Sequence, residues 1–197
     1  MGSRSSSKCK GQISDEHPKF NLRDLEEKGR LHFFYHAPCS NLPVRDLLNY
    51  QGAGFKTEPY IERNAENYRK KCNQRNIQGL LKSSESYLFL FTKCKNEMRE
   101  HKGKMYIVGY IVKENYLDRG CFYAVTGKTR LYSFDDAYPL RDLTSARNPR
   151  HVPKILSLGQ THRVLDAFAG KKDILKDCLK EIARLKKQLP RKQTRCR

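Results

Sequence analysis

His36 and Cys39 stand three positions apart in a short proline-containing stretch, and Asp135 is followed directly by Asp136. Cysteine near histidine is a pairing used in nucleophilic chemistry, but the base needs a third group to orient it, and the sequence identifies none. Adjacent carboxylates hold a divalent cation only where the backbone turns both toward one point and further oxygens complete the shell. No second acidic cluster is paired with them, so we read Asp135-Asp136 as an exposed turn or an ion-pairing element. Seven cysteines, at 9, 39, 72, 94, 121, 178 and 196, include no CxxC or comparable Cys/His spacing. Structural zinc and a disulfide framework are therefore not expected. GxGxxG and P-loop patterns are absent as well. These residues predict no catalytic group, no metal and no cofactor; a metal-dependent nuclease is the alternative.

Charge points more firmly. The 197 residues carry 40 Lys and Arg against 21 Asp and Glu, a formal charge of +19. A field of that sign attracts polyanions, whose condensed counterions are released as phosphates are neutralised. Residues 141–197 hold 16 cations against 5 acids and residues 56–113 hold 13 against 6, whereas residues 31–55 are balanced. The charge thus surrounds the apolar centre of the chain, as solvated helix faces or phosphate-binding surfaces around a neutral pocket would. Candidate phosphate contacts are Arg69, Lys70 and Lys71, then Lys93, Lys95 and Arg99, then Arg130, Lys171 and Lys172. Contacts of this kind position a polyanion without reading its sequence.

Reading a base needs less generic groups. Tyr35, His36, Ser40 and Asn41 close the first apolar run and combine an aromatic face with donors and acceptors. Tyr110 and Tyr123 offer further stacking surfaces, suited to a flipped or single-stranded base. Each of these tyrosines also fits a sheet core, and His36 a hydrogen-bonded loop.

The elements that must position these groups are mainly strands. Leu31–Tyr35 (LHFFY), Tyr87–Thr92 (YLFLFT), Met105–Val112 (MYIVGYIV) and Cys121–Phe134 (CFYAVTGKTRLYSF) are rich in aromatic and β-branched residues and are separated by polar segments. Gly127-Lys128 predicts a tight turn inside the last run, and Gly109 a bulge or a close approach by a ligand or another backbone. A short helix is predicted over Asn21–Lys28, stopped by Gly29, and another over Val44–Tyr50. Residues 58–81 suit one or two polar helices. Three prolines between 137 and 153 predict an irregular path over the surface. Helices follow over Gln160–Ala169 and Lys171–Leu189, the latter with an apolar stripe of Ile174, Leu175, Cys178, Leu179, Ile182, Leu185 and Leu189. The fold class is α+β: a mostly antiparallel sheet or small barrel flanked by helices. We expect a disordered segment over 1–19, one nucleic-acid-binding domain over 20–189 and a basic tail over 190–197.

The order LHFFY, polar insertion, YLFLFT, MYIVGYIV, CFYAVTG resembles the PUA-like superfamily, particularly its EVE and YTH-related domains, over residues 31–134. That resemblance implies a small β-barrel packed against helices and binding to RNA or to modified nucleic-acid bases. YLFLFT followed by YIVGYI is similar to the paired strands that line a base pocket. Tryptophan is absent from the chain, so the tryptophan cage of YTH-type recognition does not carry over. A comparable pocket would use Tyr35, Ser40 and Asn41 at one rim.

The expected partner is DNA or RNA. A ribonucleoprotein or protein-interaction subunit, docking through the helix at 171–189, is a further alternative. No segment reaches the roughly 18 consecutive apolar residues of a membrane span, and the first residues lack the apolar run of a secretory signal. The unpaired cysteines suit an intracellular setting, cytoplasm or nucleus.

Overall fold

The computed structural model describes residues 25–47, 66–69, 84–96, 100–118, 122–148 and 151–188. Among them seven strands form one sheet: β1 (Glu26–Tyr35), β2 (Glu66–Arg69), β3 (Glu85–Lys93), β4 (Met105–Asp118), β5 (Phe122–Leu131), β6 (Tyr138–Pro139) and β7 (Ile155–Leu156). Six lie side by side in the order β2-β5-β4-β3-β1-β7, and β6 pairs with β4 off that path. β1 and β3 run parallel and the other pairings are antiparallel. With α1 (Leu158–Phe168) and α2 (Leu175–Gln188) the chain is α+β. The path is open among the described residues, with β2 and β7 at its ends.

β3 lies inside the sheet and is covered on both faces, which is why its sequence is continuously apolar rather than alternating. Leu88 and Leu90 face one core, shared with Phe34, Val108, Ile111, Leu131, Phe134 and the buried stripe of α2. Phe89 and Phe91 face the other, shared with Leu31, Ile107, Tyr132, Tyr138, Leu140 and the Val164 and Phe168 side chains of α1. Strand parity therefore divides one apolar run between two helices.

Gly109 marks the expected bulge. Leu90 pairs with Gly109 and Phe91 with Ile107, so Val108 is the extra residue. The bulge changes parity and puts Tyr110 on the same face as Ile107. A side chain at Gly109 would also collide with the Arg130 carbonyl, so the glycine admits another backbone. β5 ends at Leu131 opposite Gly109, and after a turn β6 takes the place beside Tyr106 and Ile107. The described residues from 140 to 148 are irregular apart from the 3-10 turn Leu140–Asp142.

Several local expectations give way to tertiary pairing. Glu26–Lys28 belong to β1 and not to a helix, and Gly29 stops nothing. Gly29 lies buried in the strand, its amide donating to Thr161 Oγ1 at 2.9 Å, where a Cβ would overlap the Phe89 ring. The expected turn at Gly127-Lys128 is instead continuous strand, paired with Lys113 and Val112 next to a register shift between Lys113 and Asn115. β4 runs on through the polar residues to Asp118, so the connection to β5 falls later, between Asp118 and Phe122. Val44–Leu47 is not helical: Arg45 bridges His36, and Asp46 donates its amide to the Tyr35 carbonyl at 2.6 Å. Residues 48–50, the segment 58–65 and 70–81, and both chain ends lie outside the described residues.

Both C-terminal helices form, but the second starts at Leu175 and not at Lys171. Ser157 and Gln160 make a reciprocal capping box at the start of α1. α2 begins at Leu175 because Asp173 accepts the Leu175 amide at 2.9 Å and, at 3.1 Å, the Leu131 amide at the end of β5. Ile174, Cys178, Ile182 and Leu185 are buried under the sheet. The isoleucines and the leucine among them each contribute about 1.5–3 kcal/mol. The stripe thus completes a core, which removes the sequence argument for α2 as a docking surface. No helix among the described residues is long and apolar enough to cross a membrane.

Candidate nucleic-acid interface

One end of the sheet collects much of the expected chemistry. Tyr35 at the end of β1 pairs with Lys93 at the end of β3, and Lys93 with Met105 at the start of β4. Direct partners in adjacent strands project to the same face, so tyrosine, lysine and methionine form a row on the α1 side. The Lys95 ammonium lies 5.1 Å from the centre of the Tyr35 ring, a cation–π contact. Phe33 meets that ring edge-on at 4.8 Å and fixes its tilt.

The loop after β1 is held by His36 and Asn96. His36 is buried; its Nδ1 accepts the Lys95 amide at 3.1 Å, so Nε2 carries the proton and donates to the Leu42 carbonyl at 3.0 Å. Burial lowers its pKa below the ordinary histidine value, outweighing the Leu42 contact. Asn96 donates to the Ser40 carbonyl at 2.6 Å and to Asn41 Oδ1 at 2.5 Å. Ser40 is buried and its hydroxyl accepts the Leu42 amide at 3.1 Å, while Asn41 is exposed. His36 and Ser40 thus build the loop, and Tyr35, Asn41 and Lys95 reach its surface.

Beside this row lies a half-open groove of about 430 Å³. One wall is the β3–β4 hairpin. Gly103 takes a positive φ of 77°, a conformation other residues adopt at a cost, and its amide donates to the Cys94 carbonyl at 2.9 Å. The turn brings Lys104 near Lys93. The facing wall is the segment after β6. Buried Leu140 anchors it and its carbonyl accepts the Leu143 and Thr144 amides, while Thr144 Oγ1 accepts the Ala146 amide at 3.2 Å. That folding presents Arg141, Thr144, Ser145 and Arg147 to the groove. Met105, Tyr106, Pro139 and Ala146 supply its apolar surface. Among the described residues four cations and no carboxylate line it, and Asp142 lies 3.6 Å from the Arg141 guanidinium. Lys104, Arg141 and Arg147 had no local signal in the sequence, because a cation acquires meaning only once β6 lays its segment against β4.

The remaining candidates are dispersed. Tyr110 packs with Tyr87, Phe89, Tyr132 and Phe168, several residues along the sheet from Tyr35. Tyr132 stacks on Phe168 at 4.1 Å, and burial with the Tyr110 contact pushes its hydroxyl up to about 12. The Tyr132 hydroxyl raises the Arg130 pKa. Tyr123 pairs with Asp118 at the opposite end of β4 from Met105. Arg69 sits in edge strand β2. Lys70, Lys71 and Arg99 lie outside the described residues. Lys171 pairs with Asp136 at 3.3 Å and Lys172 is exposed, both in the connection between α1 and α2 and neither in the groove lining.

The catalytic alternatives find no matching geometry among the described residues. Asp135 binds His101 at 2.8 Å, while Asp136 accepts from the Ser133 hydroxyl at 3.0 Å, so the two carboxylates serve different partners. His101 also meets the Tyr106 hydroxyl at 3.0 Å, tying the hairpin to the turn after β5. No group of three metal-ligating side chains occurs among the described residues. Both ring nitrogens of His36 are engaged by backbone, leaving neither for Cys39.

No family model, curated protein or solved structure matches the chain.

Proposed function

We propose that this protein binds nucleic acid, DNA or RNA, along the sheet end where β1 and β3 finish and β4 begins. The observation that carries the reading is the groove lined by Lys93, Lys104, Arg141 and Arg147, with no carboxylate among its described lining residues, next to an aromatic ring capped by Lys95. Closely set cations neutralise phosphates, and a tyrosine face offers any base a stacking surface. Asn41, exposed in the loop that follows Tyr35 with its Oδ1 held by Asn96, keeps its amide N–H donors for a base edge. The finer reading, an extruded or modified base recognised at this rim by a PUA-like barrel, belongs to the same proposal. It makes the chain a binding module and not an enzyme.

The test measures binding to matched DNA and RNA, single-stranded and duplex, with and without common base modifications, at two salt concentrations. Binding at low salt that weakens at high salt is expected. Failure to bind any of them at low salt overturns the proposal, and equal affinity for every modified and unmodified form overturns base recognition. Replacing Tyr35 and Asn41 together with alanine should reduce discrimination more than general affinity, since stacking and base-edge contacts differ from phosphate contacts. Parallel losses on every ligand would count against that division of roles.

A further inference from the structure

We infer that the groove between the β3–β4 hairpin and the segment 140–147 is a site for one nucleoside monophosphate unit. The inference rests on the nucleic-acid reading and specifies what enters this groove. A phosphate ion alone would leave most of about 430 Å³ empty, whereas this volume falls in the range of small-molecule and cofactor sites. The lining is of two kinds. Met105, Pro139 and Ala146 offer an apolar surface that suits a planar base. Lys93 and Lys104 on one wall and Arg141 and Arg147 on the other suit a phosphate dianion or phosphodiester. Arginine adds a planar fork that can take two phosphate oxygens at once. The Thr144 hydroxyl accepts from the Ala146 amide, and its proton remains for a sugar or base oxygen.

The groove is also too small for a duplex. Lys93 belongs both to its wall and to the row containing Tyr35, so a base stacked on Tyr35 and a nucleotide in the groove sit on neighbouring strands. A single strand can occupy both by splaying successive bases; paired strands cannot. The shared chemistry is the nucleoside monophosphate, whether a free mononucleotide or one unit of a strand.

The full chain is titrated with each of the common ribo- and deoxyribonucleoside 5′-monophosphates, with the corresponding nucleosides, with inorganic phosphate, and with single strands and duplexes of one sequence. At least one mononucleotide should bind tenfold or more tightly than both its nucleoside and inorganic phosphate, and single strands should bind more tightly than the duplex. Lys93→Ala and Arg141→Ala should each weaken that mononucleotide tenfold; both side chains are exposed, so an unchanged melting curve separates lost binding from lost fold. Mononucleotides that fail to saturate while strands still bind would overturn the groove assignment and leave the broader reading standing. Equal affinity for inorganic phosphate would overturn the nucleotide assignment, as would unaltered affinity in both variants. Mononucleotide binding without strand binding would identify the free nucleotide as occupant and overturn the polymer reading alone, and no binding by either would overturn both.

Discussion

His36 links the end of β1 to the loop it precedes, and it does so as a neutral imidazole. The Lys95 amide donates to Nδ1, so a proton there would replace an attraction with a clash between donors, in a site that burial already makes hostile to charge. Its folded pKa is therefore below the unfolded value of about 6.5. The unfolded chain binds the proton more readily, so this contribution is fully present above pH about 6.5 and is lost as pH falls from there through the folded pKa. Thermal melts between pH 8 and 5 should show stability falling on the acid side, and His36→Gln should flatten that slope while lowering stability at pH 8. An unchanged slope in the variant would mean that other groups carry the acid sensitivity. The sequence made His36 conspicuous for its neighbour Cys39, but its chemistry is decided by Leu42 and Lys95. Neither contact can be read from spacing, because Lys95 arrives from another strand.

At the scale of elements, α2 is a lid on one core, and its cysteine reports whether the lid is closed. Cys178 is fully buried, and burial together with the carboxylates of Asp177, Asp173 and Glu181 pushes its thiol up to about 12. Since the thiolate is the reactive form, Cys178 should resist alkylation at pH 8 while exposed Cys39 reacts. Ile182→Ala removes the buried side chain one turn along the same face and should cost about 2–4 kcal/mol, speeding Cys178 labelling through opening of the helix. Peptide mapping by mass spectrometry over time reads both sites. Equal labelling of Cys178 and Cys39 in the unaltered chain would contradict the docking of α2. This helix was legible from its sequence because its apolar period is unbroken over several turns. The strands were legible where consecutive apolar residues mark burial on both faces, as in YLFLFT. Their ends were not: Glu26–Lys28 looks like helix and Lys113–Asp118 like loop, and only the pairing of Glu26 and Gly29 with β3 and of Lys113–Asp118 with β5 makes them strand. The bulge at Gly109 was visible because glycine interrupts an otherwise β-branched run.

For the whole molecule the question is whether +19 acts as a diffuse field or through particular cations. Screening at physiological salt limits an exposed charge to about 8 Å, so cations on opposite faces of the sheet cannot serve one strand equally. Lys93 and Arg141 line the groove, whereas Lys172 lies just before and Lys176 in the first turn of α2, which packs on the core away from α1. Regional charge counts favour the C-terminal segment, and nothing in the order of residues separates its groove cations from its solvated helix face. For single strands the logarithm of the binding constant falls against the logarithm of salt with a slope of about −0.7 per phosphate neutralised. Replacing Lys93 and Arg141 together with alanine should therefore flatten the slope by about 1.4, if each meets one phosphate. Replacing Lys172 and Lys176 removes the same formal charge and should leave the slope within about 0.3 of the unaltered protein. Titrations of a labelled single strand across a range of salt concentrations measure all three slopes. Equal flattening by the two pairs would show that the field is spread over both faces and that the groove holds no privileged phosphates. A larger effect from the helix pair would move the backbone path to the α2 side, away from Tyr35.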